Sequence, residues 1–247
     1  MTLRDAITRQ GDWLFRHRSH LPLVVTPLFL VALTQADGLE AHHETLDTAW
    51  KLFCLALGLA GLGIRALVVG YAPAGCSGRN TACQRADSLT TTGLYSLVRH
   101  PLYLGNFLAM AGVVLFLEVW WFGLVCTLAF ALYYERIMCA EEAFLEGKFG
   151  DRFRQWAETT PAFLPRLRGW RPPAMSFCMR SVLRREYTGA ALLTLCFFLV
   201  ELLGDGLAEH EWKLDPLALV AVGLAALSYV TLLTLKRTTR LLSVPGR

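Results

Sequence analysis

The chain has 247 residues, of which 54% are hydrophobic and only 18% charged, with a formal net charge of +4 at neutral pH. Its mean hydropathy is +0.41, and its charged share falls below the roughly 25% usual in soluble domains. These values exclude a disordered or collagen-like chain. An ordinary soluble globule is excluded as well, because the apolar residues are gathered into blocks.

The blocks cover 21–36, 49–70, 102–117, 119–138, 188–203 and 216–235. A helix of about 20 mostly apolar residues, or about 17 at the short end, crosses the hydrocarbon core of a bilayer. None of the blocks alternates with period two, and lipid leaves the backbone of an open strand unpaired. The expected fold is therefore all-α, a polytopic membrane protein with about six transmembrane helices. The third and fourth blocks are separated only by Glu118 and are expected to fold as a tight helical hairpin.

Lys and Arg are retained on the cytoplasmic side of membrane proteins. With the first twenty residues inside, 22 of the 24 Lys and Arg fall on that side, and only Lys51 and Lys213 lie outside. The outer connections are acidic, with Asp37, Glu40, Glu44 and Asp47 in one and Asp205, Glu209, Glu211 and Asp215 in another. Both termini are thus expected in the cytoplasm, with a bacterial inner membrane as the location. The net positive charge reflects this asymmetry and gives no reason to expect nucleic acid.

The leading segment carries Arg4, Arg9, Arg16 and Arg18, and no small-residue cleavage site follows its apolar run, so it is expected to be an uncleaved anchor. The seven cysteines fall within blocks or on the reducing side and suggest no disulfide framework. No Cys or His set has zinc spacing, and the adjacent His42 and His43 do not share a helix face, so no metal site is expected.

Three parts follow: 1–80 with two spans, a central unit over 81–167, and an Arg-rich loop with two further spans over 168–247. In the second block, Gly61-Leu62-Gly63-Ile64-Arg65-Ala66 has the form of a dinucleotide fingerprint. That fingerprint needs a preceding strand and a turn with free amides. Inside a membrane helix the small residues are expected instead to let a neighbour approach closely, with Arg65 snorkelling to the inner interface.

The informative stretch is Thr92-Gly93-Leu94-Tyr95-Ser96-Leu97-Val98-Arg99-His100-Pro101-Leu102-Tyr103-Leu104-Gly105-Asn106. Pro101 suits a first helical turn and biases His100 toward extended backbone, which puts His100 at the mouth of a membrane helix beside free amides and an anion-favouring dipole. A second cluster follows the fourth block, over 135–153. If that helix continues beyond the membrane as an amphipathic, cytosol-facing element, Glu141, Leu145, Phe149 and Phe153 share one stripe and Glu142 turns about 100° away. A carboxylate heading an apolar stripe needs a partner, since an unpaired buried charge is costly. The hairpin returns both clusters to one interface.

Gly93-x-Tyr95, Arg99-His100-Pro101-x-Tyr103-x-Gly105, then Glu141-Glu142-x-x-Leu145-x-x-x-Phe149-Gly150-x-x-Phe153 and Pro161-x-x-x-Pro165 together resemble the isoprenylcysteine carboxyl methyltransferase family and its phospholipid methyltransferase relatives. The resemblance covers about 87–167 and implies an integral membrane enzyme that transfers a methyl group from S-adenosylmethionine to a membrane-borne acceptor. By position it implies a cofactor site made by Leu89, Tyr95, His100, Pro101, Leu102, Tyr103 and Glu141, with Glu142 beside it. Where the prenylcysteine enzymes place an acceptor-contacting arginine this chain has Ile137, with Arg136 next to it, so Arg136 and Arg99 are the candidate catalytic residues orienting the attacking oxygen. Methyl transfer is an in-line displacement that needs alignment and exclusion of water, and no metal.

Arg166, Arg168, Arg171, Arg180, Arg184 and Arg185 suit both anionic lipid and an anionic acceptor. The expected partner is accordingly a membrane lipid or lipidated acceptor methylated on an anionic oxygen. The alternatives are phospholipid amine N-methylation, an NADPH-dependent sterol or steroid reductase, whose central region is also similar, and a membrane scaffold. Neither the acceptor nor the oligomeric state is expected to be legible.

Overall fold

The computed structural model describes residues 2–18, 20–35, 44–73, 84, 86–208, 212 and 214–246. His42, His43, Cys76, Cys83 and several of the outer-loop acids lie outside the described residues. Within them the chain is all-α: α1 (Leu3–His17), α2 (Thr26–Leu33), α3 (Glu44–Tyr71), α4 (Pro101–Phe116), α5 (Trp120–Phe149), α6 (Asp151–Thr159), α7 (Met179–Ala208) and α8 (Pro216–Thr238).

Four of the described helices hold segments long and apolar enough to cross a bilayer: Thr48–Tyr71, Trp120–Phe149, Met179–Gly204 and Pro216–Thr238. Two more apolar segments are shorter, Leu23–Leu33 and Pro101–Phe116. At about 1.5 Å per residue the 16 residues of α4 reach only ~24 Å, short of a core of about 30 Å. The sequence-based count of six is therefore met in full length by four helices. The link between α4 and α5 is as tight as Glu118 alone suggests, for it is made by 117–119 with Glu118 at φ 59°, a left-handed turn seldom taken by a residue with a Cβ.

Gly61 of the Gly-x-Gly-x-x-Ala run packs α3 on α4, whereas Gly63 faces open space. A Cβ on Gly61 would stand 2.5 Å from the Gly105 carbonyl oxygen, and one on Gly112 would stand 2.6 Å from the Cys54 carbonyl oxygen. Such distances leave room for glycine only, so the two backbones are in direct contact, as in membrane helix pairs built on small residues. At the far end of the bundle Leu33, Cys54, Phe116, Phe122, Phe197 and Val200 close an apolar core drawn from α2, α3, α4, α5 and α7. The last helix is capped by Asp215, whose carboxylate accepts from the Leu217 amide at 2.9 Å, and it stacks on α7 through Tyr229 and Tyr187, 5.3 Å apart.

Leu3–His17 form a separate amphipathic helix, α1. Thr2 and Asp5 close a reciprocal cap at its start, with bonds of 2.7 and 3.2 Å. Gly11 is buried so closely against the Arg136 carbonyl that no Cβ fits, which seats α1 along the extension of α5. This docking was not apparent in the sequence, where the arginines drew attention and the buried Gly11 and Phe15 did not.

Candidate functional site

The Arg-His-Pro segment is held in place from the far side of the central unit. The Arg99 amide donates to the Pro161 carbonyl at 2.9 Å, the His100 amide to the Ala162 carbonyl at 3.2 Å, and the Arg166 amide to the Leu97 carbonyl at 3.0 Å. Upstream, Gly93 adopts φ +62° and donates to the Arg171 carbonyl at 2.9 Å. The left-handed backbone there is one that glycine takes without cost. Trp156 adds a third tie, its indole N–H donating to the Tyr95 carbonyl at 3.0 Å. Thus α6 and the strap after it position the mouth of α4.

Pro101 occupies the first position of α4 and is fully buried. The Tyr103 and Leu104 amides turn back onto the His100 carbonyl, at 3.1 and 3.2 Å. The expectation of a row of free amides at this helix start therefore fails for these two residues, because the cap closes on its own carbonyl.

The two clusters of the central unit meet. The Tyr103 hydroxyl donates to Glu141 Oε1 at 2.6 Å, and His100 Nε2 lies 3.0 Å from Glu142 Oε1. On the other edge of the ring, His100 Nδ1 is 3.5 Å from Glu141 Oε2. A carboxylate only accepts, so an imidazole set between two of them is suited to carry a proton on each nitrogen. Burial lowers the His100 pKa, but hydrogen bonds and charge from Glu141 and Glu142 outweigh it, and the net position is above the usual 6.5. Arg99 Nε is 3.0 Å from Glu142 Oε1, but its N–H points off that line, leaving it a buried nitrogen with no hydrogen bond among the described residues. Its Nη1 donates to the Ala157 carbonyl at 2.9 Å. Arg99, the His100 imidazole and two glutamates thus share one cluster, with a carboxyl group facing each edge of the ring.

Both glutamates face this cluster, so the expectation that Glu142 turns to a flank is corrected. The stripe through Phe153 is broken too, because α5 ends at Phe149, Gly150 takes φ +54°, and Phe153 belongs to α6. A carboxylate pair on successive residues reaches one target because the target has two edges, Tyr103 with His100 Nδ1 and His100 Nε2 with Arg99. Leu89 is half-buried in the loop ahead of the cluster, and Leu102 is half-buried on the first turn of α4.

Arg136 is not brought to the cluster. Its Nε donates to Gln10 Oε1 at 3.0 Å and its Nη1 to the Leu132 carbonyl at 2.8 Å, so it fastens α1 to α5. Ile137, the neighbouring position, is fully buried. A groove of about 550 Å³ between α1 and the end of α5 includes Arg4, Glu146 and Arg154, where both arginines pair with the one glutamate at 2.7 and 2.8 Å.

Residues outside the sequence-derived set continue the cluster into the bundle. The Tyr103 ring packs on Tyr134 with centroids 4.6 Å apart, and Tyr134 on Phe130 at 4.1 Å. The Tyr134 oxygen accepts from Asn106 Nδ2 at 3.1 Å, and Asn106 Oδ1 in turn accepts from Arg65. Arg65 also forms a two-bond pair with Glu186 of α7, at 2.7 and 3.0 Å. Arg65, expected to reach the inner interface, is held by Glu186 and Asn106 of the neighbouring helices. An arginine within an apolar run is itself a signal of a buried partner.

Comparison with known proteins converges on the same region. The phospholipid methyltransferase family model matches residues 53–152. The chain is 32% identical over 170 residues to the nickel-cobalt-cadmium resistance protein NccN of Alcaligenes xylosoxydans xylosoxydans, which covers 68% of this chain and 75% of that one. It is 34% identical over 157 residues to the cobalt-zinc-cadmium resistance protein CzcN of Cupriavidus metallidurans, 63% of this chain and 67% of the relative. It is also 35% identical over 81 residues to the protein-S-isoprenylcysteine O-methyltransferase of Schizosaccharomyces pombe, 31% of this chain and 33% of that enzyme. No solved structure matches. From these matches, the chain belongs to the superfamily of integral membrane methyltransferases that includes the isoprenylcysteine carboxyl methyltransferases and the phospholipid methyltransferases.

Proposed function

We propose that this protein is an S-adenosylmethionine-dependent methyltransferase whose acceptor is a membrane lipid or lipidated molecule bearing an anionic oxygen, with both termini and the site on the cytoplasmic side. The observation that carries this reading is the meeting of His100 and Tyr103 with Glu141 and Glu142, since family membership alone names neither donor nor acceptor.

The residues present fit that donor. Glu141 and Glu142 accept hydrogen bonds from hydroxyl or amino groups, and protonated His100 and the orphaned Arg99 Nε suit a carboxylate. The electron-rich faces of Tyr103 and Tyr134 suit a positively charged sulfur. When bound, S-adenosylmethionine supplies a methyl group whose bond to sulfur breaks as its bond to the acceptor forms, so that sulfonium charge is lost and an oxyanion is neutralised. An oxyanion needs no base, whereas a protonated amine must first lose its proton. The chain's own contribution is therefore alignment and dryness. The hydrogen-bonded ends of α4 and α5 fix the donor groups, and the Phe107, Phe130 and Phe163 rings, 5.2 to 6.3 Å apart, wall the apolar side.

The names of the two bacterial relatives refer to metal resistance in those proteins.

Isothermal titration of the protein in lipid nanodiscs with S-adenosylmethionine and with NADPH tests this reading. Binding of the sulfonium nucleotide alone is expected, and His100→Ala and Glu141→Gln should each weaken it about tenfold or more, as loss of a charge-assisted hydrogen bond does. Selective binding of NADPH would instead make the protein a reductase. Both variants binding as tightly as the unmutated chain would remove the assigned site.

A further inference from the structure

The polar chain that runs from Glu186 to Tyr134 has a direction. A guanidinium donates and never accepts, so its contact with Asn106 must be to the amide oxygen, whichever way the amide is drawn. The Asn106 nitrogen is then turned to Tyr134, and an amide nitrogen only donates. The Tyr134 oxygen is consequently an acceptor in that bond, and its own proton remains available. Among the described residues no group takes that proton. Glu186 fixes the start of the chain by gripping Arg65 with two parallel bonds.

Tyr134 stands beside the methyl-transfer cluster, with its ring against that of Tyr103 and its hydroxyl within electrostatic reach of Glu141. Arg18, just beyond α1, packs its guanidinium 4.2 Å from the Phe15 ring centre and is within electrostatic reach of Tyr103, Tyr133 and Tyr134. A phenolic proton that no described group accepts, at the edge of the donor site, complements an oxygen that only accepts and offers nothing to an ammonium, which only donates.

We propose that Tyr134 is the specificity-determining hydrogen-bond donor for the acceptor, kept in its donating state by Arg65 acting through Asn106, and that it holds the non-reacting oxygen of a phosphate or carboxylate. The proposal rests on the methyl-transfer reading above and deepens it. Arg65, Asn106 and Glu186 are positioning residues. The second oxygen of the acceptor takes the Tyr134 proton in a hydrogen bond while the first is methylated, and no proton is transferred. The role also explains why a residue of α7, outside the region that matches the family model, is tied into the site.

The test uses the full chain in nanodiscs with S-adenosylhomocysteine bound. Three amphiphiles are titrated: dodecyl phosphate, the carboxylate N-acetyl-S-farnesylcysteine, and dodecylamine. At least one anionic probe should bind and the amine should not, and which anion binds separates a lipid phosphate from a prenylated carboxylate. Tyr134→Phe removes the donor. Asn106→Asp keeps the bond to Arg65 but accepts the Tyr134 proton, reversing the bond while preserving the fold. Each variant should weaken the anionic probe about tenfold when measured at saturating S-adenosylhomocysteine. Because Asn106→Asp also adds charge, the double variant decides, and it should bind no more weakly than Tyr134→Phe alone. The proposal is overturned if neither anion binds, if the amine binds as well as the anions, if Tyr134→Phe binds like the unmutated chain, or if the two losses add. Failure of S-adenosylhomocysteine to bind the unmutated chain would instead bring down the methyl-transfer reading itself.

Discussion

His100 has both ring edges facing carboxylates, and this gives the cluster a pH dependence of definite sign. Its pKa in the folded chain is raised above the ordinary 6.5 because Glu141 and Glu142 outweigh the opposing effect of burial. A group of this kind contributes stability that is fully present below about pH 6.5 and is lost as pH rises through its folded-state value. Thermal unfolding followed from pH 6 to pH 9 should therefore show a decline that His100→Gln abolishes; equal declines in the two proteins would mean that another group titrates. Arg99 and Arg136 illustrate what residue type and spacing cannot reveal. Both are arginines near the same interface, yet one lies 3.0 Å from Glu142 and the other is taken by Gln10, a residue 126 positions away.

Small residues decide the fit of α3 against α4. Gly61 and Gly105 bring two backbones into contact, and a methyl group at Gly61 would overlap the Gly105 carbonyl. Gly61→Ala should cost about 1–3 kcal/mol by overpacking and lower the unfolding temperature by several degrees, measured by scanning calorimetry in a defined detergent. An unchanged midpoint would show that the helices can separate without penalty. That small residues of this run let a neighbour approach was legible in advance, but not which glycine does so, since Gly61 meets α4 and Gly63 meets nothing. The tight turn at Glu118 and the start of α4 at Pro101 were legible for the same local reasons. The break at Gly150 was not, because a stripe with period four predicts continuity and only the left-handed backbone at that glycine interrupts it. The shortness of α4 as a span was legible as well, because its apolar block, 102–117, is itself near the lower limit of length for a crossing.

Four helices of the bundle are joined by one polar chain, with Arg65 on α3, Asn106 on α4, Tyr134 on α5 and Glu186 on α7. Glu186→Gln leaves Arg65 without its countercharge and should destabilise the protein by roughly 3–5 kcal/mol, whereas replacing both members by Arg65→Met and Glu186→Leu should cost much less. Equilibrium unfolding of the single and double variants checks this, and a double variant as damaged as the single one would rule out an uncompensated charge as the cause. The sequence pointed to the Arg-His-Pro and Glu-Glu clusters because each is dense in polar groups. It did not point to this chain, whose members are single residues scattered over four apolar runs and become one network only when the helices pack. A further consequence lies in the backbone bonds that tether Arg99 and His100 to Pro161 and Ala162. Those carbonyls do not yet exist when the first membrane hairpin leaves the ribosome. During biosynthesis the nascent chain can insert its early helices while the donor site is still incomplete, and only once some sixty residues beyond His100 have been translated can the site close.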